Sequence, residues 1–276
     1  MLSYRHSFHA GNFADVIKHM CLVDILNYLT QKDKPLCYID THAGSGAYSL
    51  YAASAQKNCE FENGIAKLWS TKPLPTAVAN YVELAKHFNQ GKKLNAYPGS
   101  PWFAQQLLRD NDRLFLCELH PSEVPLLKNL FQNDKRIAVR AEDGLAFLQG
   151  FLPTKEKRAL VLIDPSYEIK SEYQAVVDAV IKTHKRASTT CFAIWYPVVE
   201  RQHIDRMEKT LKRSGIRNIL LMELSVADDR DAGMTASGMI IINPPWQLAN
   251  NMHASLEFLA AKIGNGKFRL QHLVAE

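Results

Sequence analysis

Five short apolar runs, each followed along the chain by a stretch of helical period, constrain the fold of this 276-residue chain most strongly. The runs occupy residues 36–40, 113–118, 136–140, 159–164 and 190–196. Strands that alternate with helices form βαβ units, and such units build a parallel sheet with helices on both faces. The pattern therefore predicts an α/β protein with a mostly parallel sheet.

The two ends of the chain depart from this alternation. Two late apolar runs, residues 218–226 and 238–243, are joined by a loop without helical period, so we expect them to pair antiparallel at the far edge of the sheet. A final alternating run, residues 268–274, predicts an additional edge strand. Residues 12–30 carry apolar side chains at helical spacing and predict a helix that packs on the sheet before the first strand.

The connection between the first and second strands is much longer than one crossover helix requires. Its excess, residues 51–97, contains two helical patterns of its own, so we expect a small helical insertion subdomain there. The predicted organisation is an N-terminal segment and helix at 1–32, a core formed by 33–50 and 98–276, and this insertion.

The bulk properties exclude several classes of protein. The five cysteines are odd in number and form no CxxC pair, so we expect reduced thiols. The first residues lack the apolar core of a signal peptide, and no apolar stretch approaches the roughly 20 residues that cross a bilayer. We therefore expect a cytoplasmic protein with no membrane partner, and a monomer. The net charge of +5 permits an anionic partner without requiring one.

Three polar motifs follow the first three strands and suit a nucleoside cofactor. The turn at 40–46 has the pattern D-x-x-x-G-x-G, in which Gly44 lets a ligand approach the backbone. Glu118 ends the second strand and can accept both hydroxyls of a ribose, and Asp143 with Gly144 after the third strand can hold an adenine. Each has a simpler interpretation, as an ordinary turn, a solvated acid or a helix cap. Their shared position at the carboxyl ends of successive strands favours the cofactor site.

The fourth strand ends in Asp164, Pro165, Ser166 and Tyr167, which is close to the DPPY motif of amino-methyltransferases. An adenine amino group is a poor nucleophile because its lone pair is delocalised into the ring. The Asp164 carboxylate and the Pro165 carbonyl can each accept one of its hydrogens and favour in-line attack on a methyl group. Tyr167 offers a face for stacking. The simpler interpretation is a turn with a buried aromatic ring.

With these motifs in place, the sequence resembles the RlmJ-type bacterial 23S ribosomal RNA adenine-N6 methyltransferases from end to end. The segments that carry the resemblance are YRHSFHAGN at 4–12, DVIKH at 15–19, DTHAG at 40–44, YPGSP at 97–101, ELHP at 118–121 and MTASGM at 234–239. The chain departs from the family at Ser166, where a second proline is usual. Proline fixes φ near about −65°, so we expect serine to loosen this loop without removing the Pro165 carbonyl.

The resemblance implies a class I Rossmann-like methyltransferase fold with a seven-stranded sheet, and S-adenosyl-L-methionine as the methyl donor. The residues that bind the donor would be His19, His42, Gly44, Ser100, Glu118, Asp143, Gly144 and Asp164. The N-terminal segment would close over the target base and bring Tyr4, His6 and Lys18 near the substrate. The implied reaction methylates N6 of one adenine in 23S ribosomal RNA, with Asp164, Pro165 and Tyr167 as the catalytic residues.

Other functions stay open at the level of the sequence. A nucleotide-binding oxidoreductase would have a third glycine where this chain has Ser49, and a non-enzymatic RNA-binding module would have no use for the DPPY-like motif beside a cofactor turn. Motifs of this type also serve DNA adenine, cytosine N4 and protein glutamine methyltransferases. His6, His9 and His19 have no acid or cysteine at ligand spacing, so we expect no metal.

Two further features need a place in the fold. The tetrapeptide Asn243-Pro244-Pro245-Trp246 matches an amino-methyltransferase motif at least as well as residues 164–167 do. It follows the seventh apolar run, and an antiparallel strand there would end far from the cofactor turn, so we predict a structural role for it. The cations of the helix predicted at 200–213 are expected to form a solvated helix face rather than an RNA contact.

Overall fold

The computed structural model describes residues 5–276, whose strands form one large sheet and one short ladder. Within this described range the ten strands are β1 (Cys37–Asp40), β2 (Ala47–Ser49), β3 (Ala96–Pro98), β4 (Arg113–Cys117), β5 (Ile137–Arg140), β6 (Ala159–Ile163), β7 (Cys191–Val198), β8 (Ile219–Ser225), β9 (Ala236–Ile242) and β10 (Phe268–Val274). The α-helices of residues 5–276 are α1 (Phe13–Leu29), α2 (Ala53–Asn58), α3 (Ile65–Trp69), α4 (Thr76–Phe88), α5 (Ser100–Leu107), α6 (Glu123–Phe131), α7 (Gly144–Phe151), α8 (Glu172–His184), α9 (Arg201–Arg213) and α10 (Leu248–Lys262).

The large sheet has the order β10-β8-β9-β7-β6-β1-β4-β5. Its five strands from β7 to β5 are parallel, whereas β9 is antiparallel to both β7 and β8, and β10 is antiparallel to β8. The predicted α/β class and the antiparallel pairing of the two late runs are confirmed. The expected number of seven strands was wrong by one, because the alternating run at 268–274 does form the additional edge strand.

Helix α1 is buried on almost every side because it packs between the sheet at β7 and β9 and the helices α4, α5 and α10. Three of its polar side chains are buried with its apolar ones: Asp15 is 1%, Lys18 3% and His19 1% exposed. The side chain of Asn12 accepts a hydrogen bond from the Asp15 amide and caps the helix. The helix therefore carries three ionisable groups into the interior beside the sheet.

The segment predicted as an insertion begins and ends at a ladder that the sequence did not indicate. Strand β2 pairs antiparallel with β3, so that Tyr48 lies opposite Tyr97. Between these strands lie α2, α3 and α4, and α4 packs on α1 and α10. The ladder brings the two ends of the segment together, so the chain leaves the core and returns to it at neighbouring points. The division of the chain at 32, 50 and 97 stays a prediction.

Candidate active site

One cavity opens at the carboxyl ends of β1, β4, β5 and β6, where parallel sheets of this kind bind their ligands. The predicted site residues that line it are His6, Lys18, His42, Gly44, Ser100, Glu118, Asp143, Gly144, Asp164 and Pro165. Two predicted residues, His19 and Tyr167, do not line it. Tyr4 lies outside the described residues.

The turn after β1 is organised around Asp40, whose carboxylate is fully buried. Ser100 donates a hydrogen bond to Asp40 Oδ2 over 2.7 Å, and the hydroxyl of Tyr38 donates to the same oxygen over 2.9 Å. Burial raises the pKa of Asp40 to about 6, against the lowering effect of these two hydrogen bonds. Asp40 thus holds Ser100 at the cavity wall. The sequence showed it only as the acid that opens the turn.

The turn holds residue 44 in the left-handed backbone region, with φ of +59°, which glycine adopts without strain. A Cβ atom at Gly44 would lie 2.1 Å from the hydroxyl of Tyr48. The amide of Gly44 donates to Glu118 Oε2 over 2.8 Å, and the amide of His120 donates to Glu118 Oε1 over 2.7 Å. Two backbone amides therefore hold the Glu118 carboxylate at the cavity wall, and each oxygen keeps a lone pair for a ribose hydroxyl.

The loop after β5 closes onto the same turn. Asp143 caps α7 by accepting a hydrogen bond from the Ala146 amide over 2.9 Å. A Cβ atom at Gly144 would lie 2.1 Å from the carbonyl oxygen of Thr41, so this position accepts only glycine without a shift of the backbone. The cap interpretation of Asp143 is thus present in the structure, and its place on the cavity wall leaves the adenine-binding role as a prediction.

His42 lines the donor side of the cavity and is neutral near pH 7, because burial lowers its pKa to about 4. Its Nδ1 atom lies 2.7 Å from the hydroxyl of Thr41, which fixes the ring. A neutral ring here can accept or donate a hydrogen bond without repelling a cationic ligand.

A chain of charged groups forms the other side of the cavity. Lys18 Nζ lies 2.6 Å from Asp164 Oδ2 and 2.8 Å from Asp15 Oδ1. Asp15 Oδ2 lies 2.8 Å from His6 Nε2 and also accepts a hydrogen bond from the Gly11 amide over 2.8 Å. Asp15 does not line the cavity, yet it contacts two of the three residues predicted on the substrate side, His6 and Lys18.

The pKa values of this chain follow from burial and charge. Burial raises the pKa of Asp164 even though the Lys18 ammonium opposes the rise. For Asp15 the balance is reversed: burial acts to raise its pKa, but the charges of His6 and Lys18 hold it well below its ordinary value. Burial acts to lower the pKa of Lys18, and the two carboxylates outweigh it and raise that pKa. Lys18 therefore remains an ammonium clamped between two carboxylates.

Tyr167 does not offer the stacking face that its motif predicted. Its φ is +54°, its hydroxyl donates to the Trp195 carbonyl over 2.7 Å, and its ring centre lies 4.3 Å from that of Tyr173. The aromatic ring at the cavity wall is Tyr48, which touches His6 edge-on at 5.0 Å between ring centres. Tyr48 was not among the residues predicted for the site, because position 48 precedes the long insertion and belongs to no recognisable motif.

His19 lies behind the cavity rather than in it. Its Nδ1 atom is 2.7 Å from the Tyr97 hydroxyl, and its ring stacks on the ring of Tyr97. Burial and the nearby Lys18 ammonium hold the pKa of His19 well below its ordinary value. A neutral buried ring suits a packing role. The position of His19 behind the cavity does not support its predicted contact with the methyl donor.

The rival tetrapeptide lies at the opposite edge of the sheet. Because β9 is antiparallel to β7, Asn243 sits beside the start of β7, where its side-chain amide donates to the carbonyls of Ser188 and Thr190 over 2.7 and 2.9 Å. The placement of Asp164 at the cavity and of Asn243 away from it agrees with the prediction.

Within residues 5–276, no group of three His, Cys, Asp or Glu side chains could hold a metal ion, and no helix is long and apolar enough to span a membrane.

Comparison with known proteins identifies the family. A family model described as ribosomal RNA large subunit methyltransferase D, RlmJ, matches residues 33–274. The chain belongs to the RlmJ family. It is 49% identical over 280 residues to ribosomal RNA large subunit methyltransferase J of Escherichia coli (strain K12), and 47% identical over 281 residues to the protein of that name from Haemophilus influenzae, with all of each chain covered. The resemblance that the sequence motifs carried is confirmed.

A solved structure supports the same fold. A crystal structure of a protein from Legionella pneumophila matches this RlmJ-family chain with a TM-score of 0.90 at 38% identity, over 96% of this chain and 98% of that one. The fold described above is therefore one that an experimentally determined relative shares over nearly its full length.

The geometry of Glu118 in this RlmJ-family protein leads to a direct prediction. Glu118→Ala is expected to weaken binding of S-adenosyl-L-methionine by about 1.5–3 kcal/mol for each charge-assisted hydrogen bond lost. Isothermal titration of the donor into both proteins measures the change. A dissociation constant equal to that of the unaltered protein would exclude the ribose role.

Proposed function

We propose that this RlmJ-family protein transfers a methyl group from S-adenosyl-L-methionine to N6 of one adenine in 23S ribosomal RNA. One observation carries the proposal: Asp164 and Pro165 share a cavity with the Glu118 carboxylate and the Asp143–Gly144 loop. Acceptors for the target adenine and acceptors for the nucleoside of the methyl donor thus line one cavity, as a direct transfer between the two molecules requires. The names of the relatives supply the ribosomal RNA of the large subunit.

The charge of the cavity fits a cationic donor. Six acidic residues line it, Glu118, Glu123, Glu142, Asp143, Asp164 and Glu172, against the two formal cations Arg5 and Lys18. When bound, S-adenosyl-L-methionine supplies an electrophilic methyl group on a positively charged sulfur. Carboxylates around such a group favour its binding, and the neutral His42 does not oppose it.

Residues on the base side prepare the amino group. Asp164 and the Pro165 carbonyl accept its hydrogens, which localises the lone pair toward the donor. Lys18 now occupies Asp164 Oδ2 at 2.6 Å, so the target amino group must share this oxygen with the ammonium or take it over. The methylated nitrogen must then lose a proton. Asp164 is suited to accept it at its carboxylate because burial raises its pKa.

Binding of the donor is expected to depend on pH through Asp40. A bound cation favours the ionised carboxylate, so protons compete with the donor, and affinity falls as the pH drops through about 6. Above that pH Asp40 is anionic and the affinity levels off. Isothermal titration between about pH 5 and 8 measures this profile. Asp40→Asn should bind weakly with a flat profile, and an equally steep profile in that variant would assign the titration to another group.

The function itself is tested by mapping N6-methyladenosine in 23S ribosomal RNA from cells with and without the gene. We expect one mark to vanish and to return when purified protein and donor are added to the RNA. Transfer to DNA but not to RNA would instead favour a DNA adenine methyltransferase, and binding of NAD in place of the donor would favour an oxidoreductase. We also propose a cytoplasmic monomer, which sedimentation of the pure protein tests.

A further inference from the structure

The tetrapeptide Asn243-Pro244-Pro245-Trp246 plays no part in the proposed reaction, yet it is built to expose an indole ring. Asn243 has φ of +53°, and its backbone amide donates to the Asn218 carbonyl over 3.0 Å while its side chain holds Ser188 and Thr190. Two prolines follow, and the Pro245 carbonyl accepts a hydrogen bond from the Leu248 amide over 2.9 Å at the start of α10. On this rigid loop Trp246 is 72% exposed.

Trp246 stands on a loop that backbone hydrogen bonds and two prolines hold in place. Binding to a side chain on such a loop orders little additional backbone, so little entropy is lost. Trp246 borders a groove that Tyr28, Leu29 and His272 also line. The groove therefore begins at the end of α1, on the edge of the sheet opposite the active-site cavity.

The same edge carries the positive charge of the molecule. We call it the basal face and define it as residues 31–36, 109–113, 132–136, 153–158 and 184–190, which lie at the amino ends of β1, β4, β5, β6 and β7. It holds eleven Lys and Arg and five Asp and Glu, an excess of six positive charges. The whole chain has an excess of five, so the rest carries one net negative charge. At about 4.8 Å between neighbouring strands, the face spans roughly 19 Å.

Most of these cations have no role in the fold. Arg109 and Arg158 are used: both donate to the Lys34 carbonyl, over 2.8 and 2.6 Å, and Arg158 also donates to the Leu29 carbonyl at the end of α1. The exposed cations of this face that form no ion pair with any residue in the described range 5–276 are Lys32, Lys34, Arg113, Lys135, Lys155, Lys157, Lys185 and Arg186, of which Arg186 donates a hydrogen bond to the Gln149 carbonyl. An excess of cations that form no ion pair fits a polyanion.

We propose that the basal face and Trp246 form a second RNA-binding site, which holds an unpaired stretch of RNA with one base stacked on the indole and its phosphates along the lysines. The contact between Arg158 and Leu29, which lines the Trp246 groove, joins the two parts. A basic surface beside an exposed aromatic ring is the arrangement that binds single strands. The proposal rests on the proposed function only for the source of the RNA, which would be a segment of 23S RNA remote from the target adenine.

The test uses a twelve-residue oligouridylate, which carries no adenine for the active site. Trp246 is by far the most exposed of the four tryptophans, so stacking on it should quench part of the protein's fluorescence. Trp246→Ala should remove that quenching and weaken binding at least fivefold, the equivalent of about 1 kcal/mol per stacked base, while Trp246→Phe should keep most of the affinity. A blunt RNA duplex of equal length should bind more weakly than the single strand.

The charge part is tested by neutralising Lys34, Lys157 and Lys185 to alanine. The slope of log affinity against log salt should fall by about 2, at roughly 0.7 for each phosphate of a single strand. The matched control removes three exposed cations of α9, Arg206, Lys209 and Arg213, and should leave the slope unchanged.

The outcomes separate this proposal from the proposed function. All variants should methylate a short 23S fragment as the unaltered protein does, and the basal-face variants should lose activity only on the full-length RNA. Absence of quenching, an equal loss in the α9 control, or binding to anionic vesicles in place of RNA would overturn the second site. If oligouridylate binds as expected but no RNA is methylated, the proposed reaction is wrong and the binding site stands.

Discussion

Asp164→Ala is expected to abolish methyl transfer, by on the order of 1000-fold or more, while leaving a folded protein. Asp164 is the one carboxylate that the DPPY-like motif places at the cavity wall, and the alanine variant leaves the target amino group without that anionic acceptor. Donor affinity should fall only in part, because Glu118 and Asp143 lie on the other side of the cavity. The fold should survive, since Lys18 retains Asp15 at 2.8 Å. Single-turnover methylation of a short 23S fragment measures the loss.

Asn243→Ala is the matched control for this experiment. The variant loses the two hydrogen bonds to Ser188 and Thr190, at about 1 kcal/mol each, and places alanine in a left-handed conformation that only glycine and asparagine adopt readily. We therefore expect a lower melting temperature with single-turnover chemistry retained. If Asn243→Ala were inactive but fully stable while Asp164→Ala still turned over, the active site would have been placed at the wrong edge of the sheet.

Much of the fold and half of the site followed from the sequence because both depend on local patterns. Apolar runs alternating with helical periods set the parallel sheet, and the ends of parallel strands meet at one edge. Glu118, Asp143 and Asp164 each follow a strand of this kind, so their meeting in one cavity required no knowledge of packing. The antiparallel β9 followed from a connection without a helix, and it decided between Asp164 and Asn243.

The other half of the site depends on contacts between distant parts of the chain. Nothing local to Tyr167 shows that its hydroxyl bonds the Trp195 carbonyl, and nothing local to Tyr48 shows that β2 brings it to the cavity. Residues 18 and 164 meet only because α1 packs on the sheet. One signal was available: Asp15 and Lys18 are charged residues three apart in a helix that is otherwise apolar on nearly all sides, which is costly unless the pair is used.

Asp15→Asn is expected to reduce turnover by on the order of 100-fold with little change in donor affinity. Asp15 is 1% exposed and does not line the cavity, but one of its oxygens holds Lys18 and the other holds His6. The amide that replaces it keeps the shape and loses the charge, so the Lys18 ammonium loses one of its two carboxylate partners and the His6 ring loses the carboxylate that holds it. Displacements of about 1 Å at a reacting centre have effects of this size. Turnover of a short fragment and titration of the donor measure the two quantities.

The loss of stability in Asp15→Asn, relative to the unaltered protein, should become smaller as the pH falls. The pKa of Asp15 is held below its unfolded value, so its charge stabilises the fold above that unfolded value, and this contribution is lost as the pH falls through the folded pKa. At pH 7 the variant should be less stable by about 3–5 kcal/mol, as when one partner of a buried ion pair is removed. The difference in melting temperature should shrink toward acid pH. A difference that stayed constant would show that the lost stability comes from packing rather than charge.

A double-mutant cycle separates positioning from a merely structural role. If Asp15 acts through Lys18, then Asp15→Asn combined with Lys18→Met should slow turnover little more than Lys18→Met alone, because both changes disable the same ammonium. Independent roles would make the two losses multiply. Asp15→Glu keeps the charge and should restore part of the turnover that Asp15→Asn loses. A cycle with multiplying losses and no rescue by glutamate would exclude a positioning role for Asp15 and leave it with a structural role, as the acceptor for the Gly11 amide before α1.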